Sequence, residues 1–464
     1  MSQLSVDQSA VAAVRAHTAV QSAREGVAPG CFVLTFGCQQ NVADSEKLMG
    51  LAKQMGYRPV QAPEQASLIL VNTCAIREHA EIKALSIVGQ YKHLKEKNPS
   101  LIIGVCGCMV VQEHRREQLK RSYPYVSFVL GTSVLHRLPE TLARVLAEKK
   151  RRFDTAEECV IAEGVPVVRE SNYRAWVSIM YGCNNFCSYY IVPYVRGRER
   201  SREPQDVIAE VRELVAKGYK DITLLGQNVN SYGKGRADGY DFADLLADLD
   251  AIEGDFLLRF MTSHPKDASK KLVDVMARGK HIARHFHLPL QSGSDDVLLR
   301  MNRHYDKAKY LEILDYMREK MPDIAVTSDI IVGFPGESDA DFEDTLSMLR
   351  RARFDALFSF IYSPRKGTPA AVMEAPVPRE VQNARFDRLL ALQEEIALEK
   401  NQPMLNKAVR VLCDGASKTD DRMLSGRTSE NKIVFFPDDG TPAGEFVTVE
   451  IDRVAPFALY GKHI

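Results

Sequence analysis

Residues 175–202 read AWVSIMYGCNNFCSYYIVPYVRGRERSR. The stretch opens as a strand. Trp176, Ser178 and Met180 alternate with Val177 and Ile179, the two-residue period of a half-buried extended segment. A loop with two thiols, Cys183 and Cys187, follows, then an apolar run and four arginines, Arg196, Arg198, Arg200 and Arg202. Thiols at C-x3-C spacing do not match the C-x2-C knuckle of structural zinc sites. They match the first two-thirds of C-x3-C-x2-C, a spacing that seats a four-iron cluster on three cysteines and leaves one iron open. The third position, 190, is tyrosine.

Downstream of this stretch, apolar β-rich runs alternate with helical patterns. Strands are expected at DITLLGQNV (221–229), LLRFMTS (257–263), HFHLPLQS (285–292), AVTSDIIVGF (325–334) and ALFSFIYS (356–363). Between the first two elements, Val207, Ile208, Val211, Leu214 and Val215 have helical spacing. With the opening strand these make six βα units, too few to close an eight-fold barrel, so an open partial barrel is expected. Polar residues gather at the strand ends: Gln227, Asn228 and Asn230; Ser263 and His264; Gln291 and Ser292; Asp329 within the fifth strand; Tyr362, Ser363 and Arg365. Any one of them could be turn or capping chemistry, Ser292 and Ser294 especially. As a set they favour a polar site at the carboxyl face. His264 and His287 read as structural histidines ahead of proton carriers.

Upstream, residues 31–149 also alternate. Strands at CFVLTFG (31–37), ASLILVN (66–72), LIIGV (101–105) and YVSFVL (125–130) are each followed by a helical pattern, the second running from about Arg77 to Lys97. This predicts a flavodoxin-like parallel sheet with helices on both faces. Cys38, Cys74 and Cys108 follow the first, second and third strands at intervals of 36 and 34 residues, about one βα unit each. All three thus belong at one carboxyl edge, where open α/β sheets bind ligands. Metal or cluster ligation is the favoured reading, against three small buried hydrophobes. Cys31, Cys106, Cys159 and Cys413 match no ligand position and read as structural.

The 61 basic and 61 acidic residues cancel, so nucleic acid could be held only by local basic patches. Nine cysteines without a secretory signal suit a reducing, cytoplasmic setting, and no apolar run is long enough for a membrane span. Residues 1–28, rich in Ala, Ser and Gln, read as a disordered tail; 29–150 as the first domain; 151–168 as a linker; 169–402 as the partial barrel; and 403–464 as a small five-stranded β-barrel of oligonucleotide-binding type. In the last, Lys407, Arg410, Arg427 and Lys432 are the candidate phosphate contacts.

The cluster loop resembles that of radical SAM (S-adenosylmethionine) enzymes. With IVPYVRGRERSR behind it, the chain is most similar to the tRNA methylthiotransferases that make 2-methylthio-N6-dimethylallyladenosine. TFGCQQNVADSE (35–46), NTCAIREHA (72–80) and GCM (107–109) resemble that family's three ligand segments for an auxiliary four-iron cluster, and GRTSENKIVFF (426–436) resembles its TRAM domain. The resemblance implies two [4Fe–4S] clusters, one on Cys38, Cys74 and Cys108 and one on Cys183, Cys187 and a third ligand where Tyr190 stands. It implies SAM held by Gln227, Asn228, Ser292, Asp329 and Gly333, with Arg196 and Arg198 on SAM or RNA. The implied reaction is methylthiolation of C2 of N6-dimethylallyladenosine at position 37 beside a tRNA anticodon. Two SAM and sulfur from the auxiliary cluster are consumed, and a donor such as flavodoxin or ferredoxin supplies electrons to a monomeric protein. Two alternatives stay open: methylthiolation of a ribosomal-protein aspartate, and a radical-inactive Fe–S protein that binds tRNA, since a phenol is a poor stand-in for a thiolate.

Overall fold

Six parallel strands form the sheet of the first unit. They are β1 (Gly30–Thr35), β2 (Arg58–Pro59), β3 (Leu68–Thr73), β4 (Ile102–Gly107), β5 (Phe128–Leu130) and β6 (Arg152–Asp154), in the order β2-β1-β3-β4-β5-β6. The computed structural model describes residues 6–75, 78–158 and 161–464. Every residue of β3 and β4 is buried, as expected of strands covered by helices on both faces. One face packs Leu48, Leu51, Leu68, Leu70 and Phe128; the other packs Ile69, Val71, Ile103, Val105 and Val129. The strand order is that of a flavodoxin-like sheet with one strand added.

Two expectations change here. Where the sequence predicts a disordered tail over 1–28, a helix, α1 (Gln8–Glu25), forms among the described residues. Asp7 caps it by accepting from the Ser9 and Ala10 amides, and Val11 and Val14 are buried. Alanine-rich sequence with a good cap makes a helix whose narrow apolar stripe is easily missed. The linker at 151–168 in turn contributes β6 and lies on the helix α2 (Gln39–Gln54): the Val168 amide donates to Glu46 O at 3.0 Å. A Cβ on Gly50 would stand 2.0 Å from Pro166 O, so only glycine admits that crossing. The start of the next helix at Arg77, and Cys159, lie outside the described residues. From Glu78 the chain forms two helices, Glu78–Gln90 and Lys92–Lys97.

The second unit holds the partial barrel and the C-terminal module. Strands β7 (Arg174–Ser178), β10 (Asp221–Leu225) and β11 (Leu257–Phe260) are parallel, as are β12 (His285–His287), β13 (Ala325–Val332) and β14 (Ala356–Ile361). A parallel bridge from Leu258 to Ile282 connects the two sets, giving six strands in chain order and an open side. The short antiparallel pair β8 (Met180–Tyr181) and β9 (Arg200–Ser201) belongs to the first unit. The C-terminal strands β15 (Ala408–Ala416), β16 (Met423–Arg427), β17 (Ile433–Pro437), β18 (Phe446–Val454) and β19 (Leu459–His463) close into a barrel over Val411, Val434, Phe436, Val449 and Ile451. Among the described residues no helix is long and apolar enough to cross a membrane.

Candidate cluster sites and the polar lumen

In the first unit, the parallel register Thr35↔Asn72 and Thr73↔Gly107 makes β1, β3 and β4 end together. Cys38 caps α2, Cys74 directly follows β3, and Cys108 directly follows β4. The glycines before two of them shape the loops. Gly37 has φ +129°, and a Cβ there would lie 2.6 Å from Cys74 Cβ; Gly107 has φ +96°, with Asn72 Oδ1 and Thr73 O where a Cβ would go. Behind the thiols two fully buried asparagines brace the loops. Asn41 Nδ2 donates to Thr73 O at 3.0 Å, and Asn72 Nδ2 donates to Asn41 O at 2.8 Å. Cys38 Sγ lies 3.4 Å from Asn41 Oδ1.

One buried cation stands against burial and neighbouring acidic groups at this edge. Burial pushes the Cys108 thiol up to about 12; Arg196 pulls it down, while Cys74, Cys38 and Asp44 push it further up. The three sulfurs therefore sense one another, and a metal that displaced their protons would relieve the mutual cost. Arg196, 4% exposed, donates from Nη2 to Asp44 Oδ2 at 2.8 Å. It comes from the short helix Val192–Arg196, whose Ile191 and Val195 flank pack on Ala75 and Cys108. Among the described residues no trio of His, Cys, Asp or Glu is set to hold a single metal ion. A cluster asks for something different, since its thiolates bind separate irons. Three convergent thiols with one buried cation fit such a group.

The arginine burst is accordingly not an open phosphate clamp. Arg202 forks onto Glu163 at 2.7 and 2.8 Å, Arg200 donates to Glu158 O, and Arg196 is committed to Asp44; Arg198 is exposed. Cys183 lies in this unit, buried, its amide donating to Gly197 O at 3.1 Å.

Cys187 and Tyr190 lie in the second unit. Cys187 is buried and accepts from Arg303 Nη1 at 3.2 Å, and Tyr190 N–H donates to Cys187 O at 3.0 Å. Arg303 is itself buried, held by Pro289 O and Tyr305 Oη. Nothing in the local sequence marked it as a thiol's partner. The donors in the loop are two thiols and a phenol. A phenol has an ordinary pKa near 10 and keeps its proton where a thiol readily loses it, so this set does not fit a cluster borne on three thiolates.

The carboxyl ends of the barrel strands carry buried polar atoms with no hydrogen-bond partner among the described residues: Gln227 Oε1, Asn228 Oδ1, both Asn230 amide atoms, His264 Nε2 and Tyr362 Oη. Such atoms are costly unless a ligand or water meets them. His264 Nδ1 accepts from the Lys266 amide, which leaves the proton on Nε2, and burial together with Arg303 keeps the ring neutral. Asp329 faces the lumen, 3.3 Å from Gln291 Nε2 and 3.6 Å from His287 Nε2. His285, pushed down to about 3 by burial, shares Thr327 Oγ1 with His287. A polar ligand fits this donor set.

Other sequence candidates are placed differently. Ser292 is fully buried, with its hydroxyl 3.4 Å from Thr345 Oγ1 and accepting from the Ser294 amide. The close approach that Gly333 permits (φ +73°) is by Gln382, and its amide donates to Glu337 at 2.7 Å. Three of the four candidate phosphate contacts in the C-terminal barrel are engaged within the unit. Lys432 bonds Asp355 at 3.0 Å and Asn401 at 2.8 Å; Arg410 bonds Asp255 at 2.5 Å and lies 3.6 Å over Phe446; Arg427 lies 3.5 Å from Asp414. Lys407 is exposed. Local sequence shows the charge but not the carboxylate that the fold brings to it.

Three family models match: the Radical SAM superfamily over residues 177–349, Uncharacterized protein family UPF0004 over 30–131 and the TRAM domain over 402–464. The chain is 51% identical over 433 residues to the tRNA-2-methylthio-N(6)-dimethylallyladenosine synthase of Caldicellulosiruptor saccharolyticus, covering 93% of this chain and 92% of the relative. It is 50% identical over 429 residues to the protein of that name from Thermoanaerobacter sp. (strain X514), covering 92% and 91%. Among solved structures, the radical S-adenosylmethionine methyltransferase TsrM from Kitasatospora setae superposes with a TM-score of 0.55 at 14% identity, over 74% of this chain and 75% of that one, a likeness of fold.

Proposed function

Because the chain belongs to the tRNA-2-methylthio-N(6)-dimethylallyladenosine synthase family, we propose that it acts on C2 of N6-dimethylallyladenosine at position 37 of tRNA. The observation that carries this reading is the convergence of Cys38, Cys74 and Cys108 at one sheet edge. Cys38, Cys74 and Cys108 would hold an auxiliary four-iron cluster, which when bound supplies the sulfur chemistry of a methylthio transfer. Asn41 and Asn72 keep the three loops in place, and Arg196 offsets the thiolates' charge while Asp44 holds its guanidinium. In the lumen, the unmet amide atoms of Gln227, Asn228 and Asn230 would hold the polar end of SAM, and the Asp329 carboxylate would accept from a hydroxyl. Lys407, exposed on the C-terminal barrel, is a basic candidate for the RNA backbone. An adenine beside an anticodon is unpaired and can be turned out to such a site. A small electron carrier such as flavodoxin or ferredoxin would serve as reductant, to a monomer in the cytoplasm.

Tyr190 favours a second reading for the chain as written: tRNA recognition and the auxiliary cluster are kept, and SAM cleavage is poor. The loop's two thiols and phenol do not fit a three-thiolate cluster. One experiment tests both readings. Anaerobically reconstituted full-length protein and its Tyr190→Cys variant are incubated with SAM, reductant and prenylated tRNA, and the digested nucleosides are analysed by mass spectrometry. Methylthiolated product from Tyr190→Cys, and little from the chain as written, is expected. Absence of product from both would reject the proposed reaction.

A further inference from the structure

The lumen has an apolar wall that nothing in the polar site explains. In parallel strands paired residues point to the same face, and the register pairs Asp329 with Phe358 and Ile331 with Phe360. Phe358 and Phe360 therefore share a face with Asp329 and, through the pairing of His287 with Thr327, with His287 as well. The Phe358 ring meets the His287 ring edge to face at 5.6 Å. Yet Phe358 is 48% and Phe360 40% exposed. The opposite face of β14 is covered by the helix Arg379–Asn401. Isolated exposed aromatics need no explanation. Two on alternate residues of one strand, beside a carboxylate and below the unpartnered Tyr362 hydroxyl, form a continuous ledge inside a ligand site.

Resting on the function proposed above, we infer that Phe358 and Phe360 seat the dimethylallyl group of the substrate base. The ledge suits a ligand with a compact apolar arm joined to a polar ring, since Asp329 pairs with Phe358 across the strands and Tyr362 follows Phe360 by two residues. An adenine carrying a branched five-carbon alkenyl group on N6 has that division, and the arm would lie across the rings while the base edge faces the polar residues. SAM has no apolar arm of that kind. The ledge would then distinguish prenylated from plain adenosine.

The test uses full-length protein and two anticodon stem-loop RNAs identical except for the dimethylallyl group, with affinities measured by fluorescence anisotropy at one fixed salt concentration. The unaltered protein is expected to prefer the prenylated RNA by about tenfold, as for a modest apolar group in a partly open pocket. Phe358→Ala, Phe360→Ala and the double variant should erase that preference while leaving affinity for plain RNA in place, and the Phe358→Leu, Phe360→Leu pair should keep most of it. Preference retained in the double alanine variant, or none in the unaltered protein, would overturn the ledge and leave the functional reading standing. Failure of the unaltered protein to bind either RNA would overturn both. Loss of plain-RNA affinity in the alanine variants, with the leucine pair normal, would show a general stacking surface and reject the prenyl assignment.

Discussion

Cys38, Cys74 and Cys108 are far apart in the chain and share one sheet edge, whereas Cys183, Cys187 and Tyr190 are neighbours in sequence and offer two thiols and a phenol. The first set is assembled by topology: three parallel strands in register deliver three loops to one edge, and each loop needs to bring only one thiol. The second set lies on one short stretch of sequence, where one side chain decides which donors that stretch offers. Support differs as well. The trio has an asparagine brace and a buried Arg196–Asp44 pair, while Cys187 leans on the one guanidinium of Arg303. Closeness in sequence is thus no measure of how complete a site is.

The contrast can be broken most directly at position 190. Tyr190→Cys should raise 5′-deoxyadenosine formation by reduced, reconstituted protein by more than about 100-fold, because loss of even a supporting residue at a metal site costs roughly 10–100-fold. Equal turnover with and without the substitution would show that two thiols suffice. Next in size, replacing Cys38, Cys74 and Cys108 together by alanine should remove about four irons per chain and the matching sulfide and absorbance. Unchanged iron content would show that the trio holds no cluster.

The trio's support gives a smaller effect. Asp44→Ala strands the Arg196 guanidinium in a buried site and should cost about 3–5 kcal/mol in denaturant unfolding of the first unit. Arg198→Ala, on an exposed side chain of the same run, should change stability by less than about 0.5 kcal/mol. Similar losses for both would mean that burial does not separate these arginines.

Per pH unit the remaining contrast is gradual, and it has opposite sign in the two units. His285 in the barrel is pushed from 6.5 to about 3, so as pH falls below about 6.5 the unfolded chain takes up a proton that the fold refuses. Stability of the second unit should fall with acid over that window, by at most about 1.4 kcal/mol per pH unit. Glu46 in the first unit is pushed from 4.5 up to about 7, mainly by burial and in spite of Arg169. There the folded state binds the extra proton, so stability should fall as pH rises from about 4.5 through 7. Trp176, the single tryptophan, lies in the second unit, and its emission reports that unit alone. Amide exchange follows the first. Parallel pH trends in the two probes would contradict the assignment.

Alternating strand and helix patterns, the 36- and 34-residue spacing of three cysteines and six βα units were legible in the sequence, because hydrophobic periodicity and chain length per unit are local properties. They carry the flavodoxin-like sheet, the partial barrel and the shared edge of Cys38, Cys74 and Cys108. The polar strand ends were legible as a set, for the same reason. Which member faces the lumen was not: Ser292 turns to Thr345 and Gly333 to Gln382, while Asp329 looks inward. The basic residues show the limit most clearly. Arg196, Arg427 and Lys432 looked available for SAM or RNA, yet the fold commits them to Asp44, Asp414 and Asp355. In the linear chain every arginine and lysine has the same charge and many acidic residues to choose from. Only the tertiary structure decides which carboxylate shares its desolvated site, because the strength of a charge pair depends on distance and burial, which sequence separation does not set.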